Sequence, residues 1–288
     1  MSILLSSDTR IIMQGITSDF ASRQARAMLK GGARIVAGVT PGRGVSAVHG
    51  IPVYDTMAEA VAAHPAHCSA IYVGTERLRD AVLEAVAAGI KLVFVTAEGL
   101  PLRDVMVLRA LAHKHGVWMI GPNSLGMISP GKSLLGAFPP EWALPGSVGL
   151  MSRGGTLILR CASLLTEHGI GFSSAVHIGG DVVLGRNPVE YMQAFNEDPE
   201  TRAVVLISEV GGAKDDEVAA WLAAGQRKPV VALIVGHAVP RGKTMGHAGA
   251  IVGSDAHTAA AKEDRLREAG ALIARRPEDL PALIRKVL

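Results

Sequence analysis

Cysteine is scarce in this chain: only Cys68 and Cys161 occur among 288 residues, far apart and in no metal-ligating or redox spacing. This excludes a disulfide framework and a C-x-x-C motif, and predicts a reducing, cytoplasmic setting in which both thiols are small core residues. Aromatic residues make up 4%, too few for base-stacking platforms. The lysines and arginines leave a net charge of +3 but form no run of five or more, so no nucleic-acid partner is expected. Even long uncharged stretches such as 116–131 and 229–240 fall short of the ~20 apolar residues that cross a bilayer, and no membrane association is expected. Residues 1–10 lack the basic start and long apolar stretch of a secretory signal. Charged residues, at 19%, are also sparse, whereas apolar residues reach 49%, enough to bury large cores.

Glycine is abundant, with 33 residues against an average near 7%. Short β-branched runs alternate with Ala/Leu-rich stretches. Residues 10–16, 34–38, 70–73, 91–95 and 117–120 read as strands, and 20–30, 56–63, 78–88 and 102–115 as helices. A second series follows, with strands at 147–152, 171–177, 202–208, 229–235 and 272–274 and helices at 155–167, 188–196, 216–224, 257–269 and 277–287. Strand and helix in alternation predict parallel sheets covered on both faces. The fold class is therefore α/β: a Rossmann-like domain over 1–121, a Pro- and Gly-dense linker over 122–146, and a flavodoxin-like domain over 147–288.

In such sheets, ligands collect at the carboxyl ends of strands, where helix N-termini offer N–H groups to anions. The turn Gly15-Ile16-Thr17-Ser18-Asp19-Phe20 sits where a Rossmann phosphate turn would, yet it lacks the G-x-G-x-x-G spacing, which weakens a nicotinamide oxidoreductase reading. It serves equally as a plain strand-to-helix turn capped by Ser18 or Asp19. An Asp19 carboxylate about 4 Å from a phosphate charge would cost on the order of 1 kcal/mol in water and about 4 kcal/mol at an effective dielectric near 20. Arg43, in Thr40-Pro41-Gly42-Arg43-Gly44, can pair with a phosphate or remain a solvated loop charge. Ser152-Arg153-Gly154-Gly155-Thr156 follows a strand and opens a helix, letting backbone amides approach an anion. Ile178-Gly179-Gly180-Asp181 repeats the strand-end glycines.

The strongest local signal is the loop from Pro240 to Ala250, in which His247 lies among small residues with Arg241 and Lys243 nearby. A neutral imidazole is a good nucleophile, and a carboxylate on one ring nitrogen fixes its tautomer. Glu209, at a strand end before Gly211-Gly212, is the candidate carboxylate. No metal site is expected.

With these residues in view, the chain resembles the succinyl-CoA synthetase alpha-subunit family, the nucleoside-diphosphate-forming acid–CoA ligases. The resemblance rests on Gly38-Val39-Thr40-Pro41-Gly42, Gly121-Pro122-Asn123, Ser152-Arg153, Gly155-Thr156-Leu157, Ile178 to Asp181, Glu209 to Gly212 and Met245 to Ala250. It implies a CoA-binding Rossmann domain, a ligase domain with a phosphohistidine, and an ATP-grasp-type beta subunit that binds ATP or GTP with Mg2+ in a heterodimer or heterotetramer. His247 would carry the phosphoryl group, Glu209 would orient it, and Gly154, Gly155 and Thr156 would offer amides. Thr17, Ser18, Asp19, Phe20, Arg43, Thr96, Ala97 and Glu98 would contact CoA. Asn123, Leu125 and Leu159 would meet the carboxylic acid.

The chain departs from the family at several of these positions. Ser18, Asp19, Phe20 and Ala21 replace a glycine-bearing CoA turn, Arg43 replaces a Lys, Asn123-Ser124-Leu125-Gly126 replaces Asn-Cys-Pro-Gly, Gly154 replaces a Ser and Leu159 replaces a Tyr. The last two remove hydroxyl donors worth about 1 kcal/mol each. The expectation is a ligase for a dicarboxylate or related acid other than, or in addition to, succinate. The alternative is a noncatalytic or regulatory paralogue with impaired CoA binding.

Overall fold

The computed structural model describes residues 2–44, 46–225, 227–240, 242, 247 and 250–288. It divides into two compact bodies: Leu4–Pro140 with Val183–Arg186, and Glu141–Val182 with Asn187–Leu288 and the first residues of the chain.

The first body runs β1 (Arg10–Gln14), α1 (Asp19–Lys30), β2 (Arg34–Val39), β3 (Ala47–Val48), β4 (Ile51–Tyr54), α2 (Met57–Ala63), β5 (Cys68–Ile71), α3 (Thr75–Ala87), β6 (Leu92–Val95), α4 (Leu102–Lys114), β7 (Trp118–Ile120), β8 (Gly126–Ser129) and β9 (Ser133–Gly136). Its sheet has the order β3-β4-β2-β1-β5-β6-β7. Apart from the short antiparallel β3, this is the doubly wound Rossmann order, whose topological switch lies beside β1. Met13 is in register with Gly38 on β2 and with Ala70 on β5. All residues of β5 and β6 are buried; β6 is an unbroken apolar run, and the one polar side chain of β5, Ser69, accepts a hydrogen bond from Gln14 Nε2 at 2.9 Å. Ile12, Val39, Ile71, Leu78, Val93 and Leu108 share one core, each such side chain contributing roughly 1.5–3 kcal/mol by leaving water. Both cysteines are buried, and burial pushes the Cys161 thiol up to about 12.

Two features differ from the sequence reading. Strand β4 escapes it because Pro52 interrupts the apolar run; in the sheet Pro52 faces Ala47 of the short β3, near the edge where a missing N–H is tolerated. The stretch 122–146 is not a structureless linker either. It holds the antiparallel pair β8 and β9, whose Met127, Leu134 and Leu135 are fully buried, and it includes the first residues of the next strand. Its glycines serve close packing: a Cβ on Gly126, at φ +106°, would lie 1.9 Å from the Leu135 carbonyl oxygen.

The second body contains β10 (Pro145–Ser152), α5 (Gly155–Glu167), β11 (Phe172–His177), α6 (Pro188–Glu197), β12 (Ala203–Glu209), α7 (Lys214–Ala223), β13 (Val230–Val235), α8 (Ala259–Glu268), β14 (Leu272–Ala274) and α9 (Leu280–Arg285). These strands pair in parallel in the order β14-β13-β12-β10-β11. That is the flavodoxin-like order, with its switch point between β10 and β12. Leu150 is in register with Ala175 and Val205 across that centre. Among the described residues no helix is long and apolar enough to cross a membrane.

Candidate active site

Strands β10 and β12 end side by side at the switch point, delivering Ser152 and Glu209 to one edge of the second body. Beyond Ser152, Arg153 is buried and α5 begins at Gly155 with no side chain capping it. Its first-turn amides and macrodipole favour an anion. The Gly154 N–H is already engaged, donating to Ser152 Oγ at 2.9 Å. Gly155 and Thr156 therefore remain as the amides at the helix start.

Glu209 is 9% exposed. Its Oε2 accepts a hydrogen bond from Nδ1–H of His247 at 2.8 Å, and its Oε1 lies 3.7 Å from Nη2 of Arg153. The same Nη2 donates to the Asp181 backbone carbonyl at 3.2 Å. Because Nδ1 donates to Glu209, Nε2 carries the lone pair of a neutral His247 ring. The hydrogen bond to Glu209 raises the His247 pKa above its ordinary value; burial opposes the rise, the Glu209 charge and Asp181 reinforce it, and Arg153 lowers it. Gly180 makes room for the ring, since a Cβ there would come within 2.8 Å of His247 Cδ2.

His177, at the end of β11, lies beneath this turn. Its Nε2–H donates to the Arg153 carbonyl at 2.8 Å, and a Cβ on Gly155 would touch its ring at 3.4 Å. Burial pushes its pKa down to about 4, the bond to Arg153 offsetting only part of that cost. The folded value lies below the unfolded one, so stability is unaffected above the ordinary histidine pKa and falls as pH drops toward 4. At about 1.4 kcal/mol per unit, the native chain loses roughly 2–3 kcal/mol between pH 7 and pH 4.5 that His177→Gln, which keeps a donor for Arg153, does not lose. Urea unfolding of both proteins at the two pH values checks this.

Most of the remaining candidates lie at strand ends of the first body. Thr17 Oγ1 donates to Thr40 Oγ1 at 3.2 Å, and Ser18 caps α1 by accepting the Ala21 N–H at 3.3 Å. Asp19 opens the helix, and the exposed Phe20 leans on Tyr72 with ring centroids 5.9 Å apart. The Arg43 N–H donates to Asp55 Oδ1. Thr96, Ala97 and Glu98 follow β6; the Asn123 N–H bonds the Ala97 carbonyl at 2.9 Å, and Thr75 Oγ1 donates to the Glu98 carbonyl. Leu125 is half-buried beside β8 in the first body, and Leu159 is half-buried on α5 in the second. Of the loop around His247, residues 241, 243–246 and 248–249 lie outside the described residues. Neither the Arg153–Glu209 contact nor the His177–Arg153 bond is legible in the sequence. Arg153 was visible only as a motif residue, and a histidine ending an apolar strand carries no signature.

Two family models match: a CoA binding domain over residues 6–99 and a CoA-ligase over residues 151–272. The chain is 44% identical to the ADP-forming succinate–CoA ligase subunit alpha 1 of Archaeoglobus fulgidus over 288 residues, covering 100% of this chain and 99% of that one. It is 40% identical to the malate–CoA ligase subunit alpha of Methylorubrum extorquens over 292 residues, covering 100% and 99%. A solved structure of an ATP citrate lyase mutant from Methanosaeta concilii in complex with (3S)-citryl-CoA is similar at TM-score 0.89 and 26% identity, over 99% of this chain and 50% of that one. This chain thus spans half the length of that one.

Proposed function

The chain belongs to the family of succinate–CoA ligase alpha subunits, and on that premise we propose that His247 carries a phosphoryl group from a nucleoside triphosphate to a carboxylic acid, whose CoA thioester is then formed. The observation that carries this reading is the 2.8 Å bond between His247 Nδ1 and Glu209 Oε2, beside an uncapped helix start at the sheet's switch point. Glu209 keeps the proton on Nδ1, so the Nε2 lone pair attacks the γ-phosphorus, the bond to the bridging oxygen breaks and the nucleoside diphosphate leaves, while the carboxylate balances the positive charge that develops on the ring. The amides of Gly155 and Thr156 receive phosphoryl oxygens, while Arg153 holds Glu209 from behind. When the substrate carboxylate takes the phosphoryl group, the Nε2–P bond breaks and the ring returns to its neutral tautomer.

The partner is a beta subunit of ATP-grasp type that binds ATP or GTP with Mg2+, in a heterodimer or heterotetramer. CoA supplies the thiol that displaces phosphate from the acyl phosphate. Arg43, exposed at a strand carboxyl end of a doubly wound sheet, suits its anionic end, whereas Asp19 in the exposed Thr17–Phe20 turn keeps a phosphate from close contact there. The Ser18 cap places a hydroxyl, rather than a glycine, at that turn. The acid is a dicarboxylate or related acid other than, or besides, succinate. The full-length match to ligase alpha subunits and the assembled His247–Glu209 pair favour catalysis over a noncatalytic paralogue.

The complex with its co-expressed beta-type subunit is to be assayed for CoA-dependent release of nucleoside diphosphate with succinate, malate, citrate and sulfur-containing analogues. An acid other than succinate should equal or exceed succinate in kcat/KM. Turnover with succinate alone overturns the acid assignment, and no turnover with any acid overturns the ligase reading.

A further inference from the structure

Lys262 on α8 is 1% exposed, which is rare for a lysine unless it is paired. Its ammonium donates to three oxygens: the Glu209 carbonyl at 2.9 Å, the Gly211 carbonyl at 2.5 Å and Asp215 Oδ2 at 2.6 Å. Asp215, in the first turn of α7 and also buried, accepts a further bond from Ser208 Oγ at 3.0 Å. All three ammonium donors are thus used, and two of them end on the backbone at the tip of β12. That tip bends sharply: Gly211 has φ +88°, a conformation that disfavours a side chain. Its N–H groups are pinned as well, Val210 to Val235 and Gly211 to His257.

A buried ion pair is weak evidence for stability, because apolar replacements of similar volume are often neutral or better. Its placement here calls for another explanation, since one of the two backbone carbonyls it grips belongs to Glu209, whose side chain bonds His247. We infer that Lys262, paired with Asp215, is a positioning residue that holds the carbonyls of Glu209 and Gly211 and so keeps the Glu209 carboxylate on Nδ1 of His247. It touches neither His247 nor its phosphoryl group, and it rests on the phosphocarrier reading only for the consequence in turnover.

The test reads the His247 ring directly. In full-length chain with isotope-labelled histidine, the His247 resonance is assigned by its loss in His247→Asn and titrated in the native protein, in Glu209→Gln, in Lys262→Met/Asp215→Asn and in Lys262→Arg. The double variant removes both charges together and leaves no buried charge unpaired. The other groups facing the ring, Arg153, Asp181 and His177, are unchanged throughout. The double variant should keep the native near-UV dichroism and lower the His247 inflection by at least half the shift produced by Glu209→Gln. Lys262→Arg should restore most of it. An unmoved inflection in the double variant beside a lowered one in Glu209→Gln overturns the positioning role and leaves the phosphocarrier reading standing. An unmoved inflection in Glu209→Gln overturns the positioning role, because the Glu209 contact then does not govern the ring. Failure of both Lys262 variants to fold makes the pair a requirement of folding and also overturns it.

Discussion

His247→Asn is expected to abolish phosphorylation of the chain and, with it, CoA-dependent turnover. Incubated with the beta-type partner and nucleotide labelled at the γ-phosphate, the native chain should acquire a base-stable, acid-labile phosphate, and the Asn variant none. Asparagine is close to histidine in bulk, and its amide can still donate toward Glu209 Oε2, so the half-exposed site keeps its fold. What it lacks is a lone pair that is nucleophilic at neutral pH. Loss of a covalent nucleophile costs about 10^4-fold or more in other enzymes, because the residual binding groups cannot replace the bond it forms. CoA affinity should not change, since the Thr17–Phe20 turn and Arg43 belong to the other body. Full labelling of the Asn variant would sink the assignment of His247 as carrier.

Much of this was legible in the amino acids. The alternation of strand and helix in both bodies follows from apolar runs separated by Ala/Leu-rich helices, because strands such as β5, β6 and β12 are buried on both faces and leave no polar alternation to confuse with helix. The contact between His247 and Glu209, 38 positions apart, was legible because each stood out alone: a histidine among small residues, and a carboxylate ending an apolar strand. The groups behind them were not. Lys262 follows three alanines in a helix that also carries Glu263, Asp264, Arg265, Arg267 and Glu268, and nothing in that run distinguishes the one cation that turns inward. Arg153 reads as any charged residue at a strand end until the fold sets its guanidinium 3.7 Å from Glu209. The 122–146 stretch misled for a physical reason: glycines that permit two backbones to approach closely look, in one dimension, like glycines that loosen a chain.

Glu209→Gln should lower the rate of His247 phosphorylation by about 10^2-fold or more and shift its pH dependence downward. The plateau falls because a neutral amide no longer offsets the charge that develops on the imidazole, and one buried donor or carboxylate in such a role is worth about 10^2–10^3 in rate elsewhere. The pH shift follows from the sign of the native perturbation. Glu209 raises the His247 pKa, so the native ring loses its second proton, and exposes the Nε2 lone pair, at a higher pH than an ordinary histidine. In the Gln variant both the hydrogen bond to a carboxylate and the Coulombic attraction are gone, while burial and Arg153 still disfavour the cation. The inflection must therefore move down, and the variant is closest to the native rate, at a fixed acidic pH, where the native ring is still protonated. The same linkage acts on stability: the native pair stabilises the fold fully below the unfolded pKa and loses that contribution as pH rises through the folded one. The variant's deficit in unfolding free energy should accordingly be larger at pH 6 than at pH 8. Single-turnover phosphorylation across that range separates the two effects, since a merely misfolded variant would lose amplitude at every pH and leave the inflection where it was.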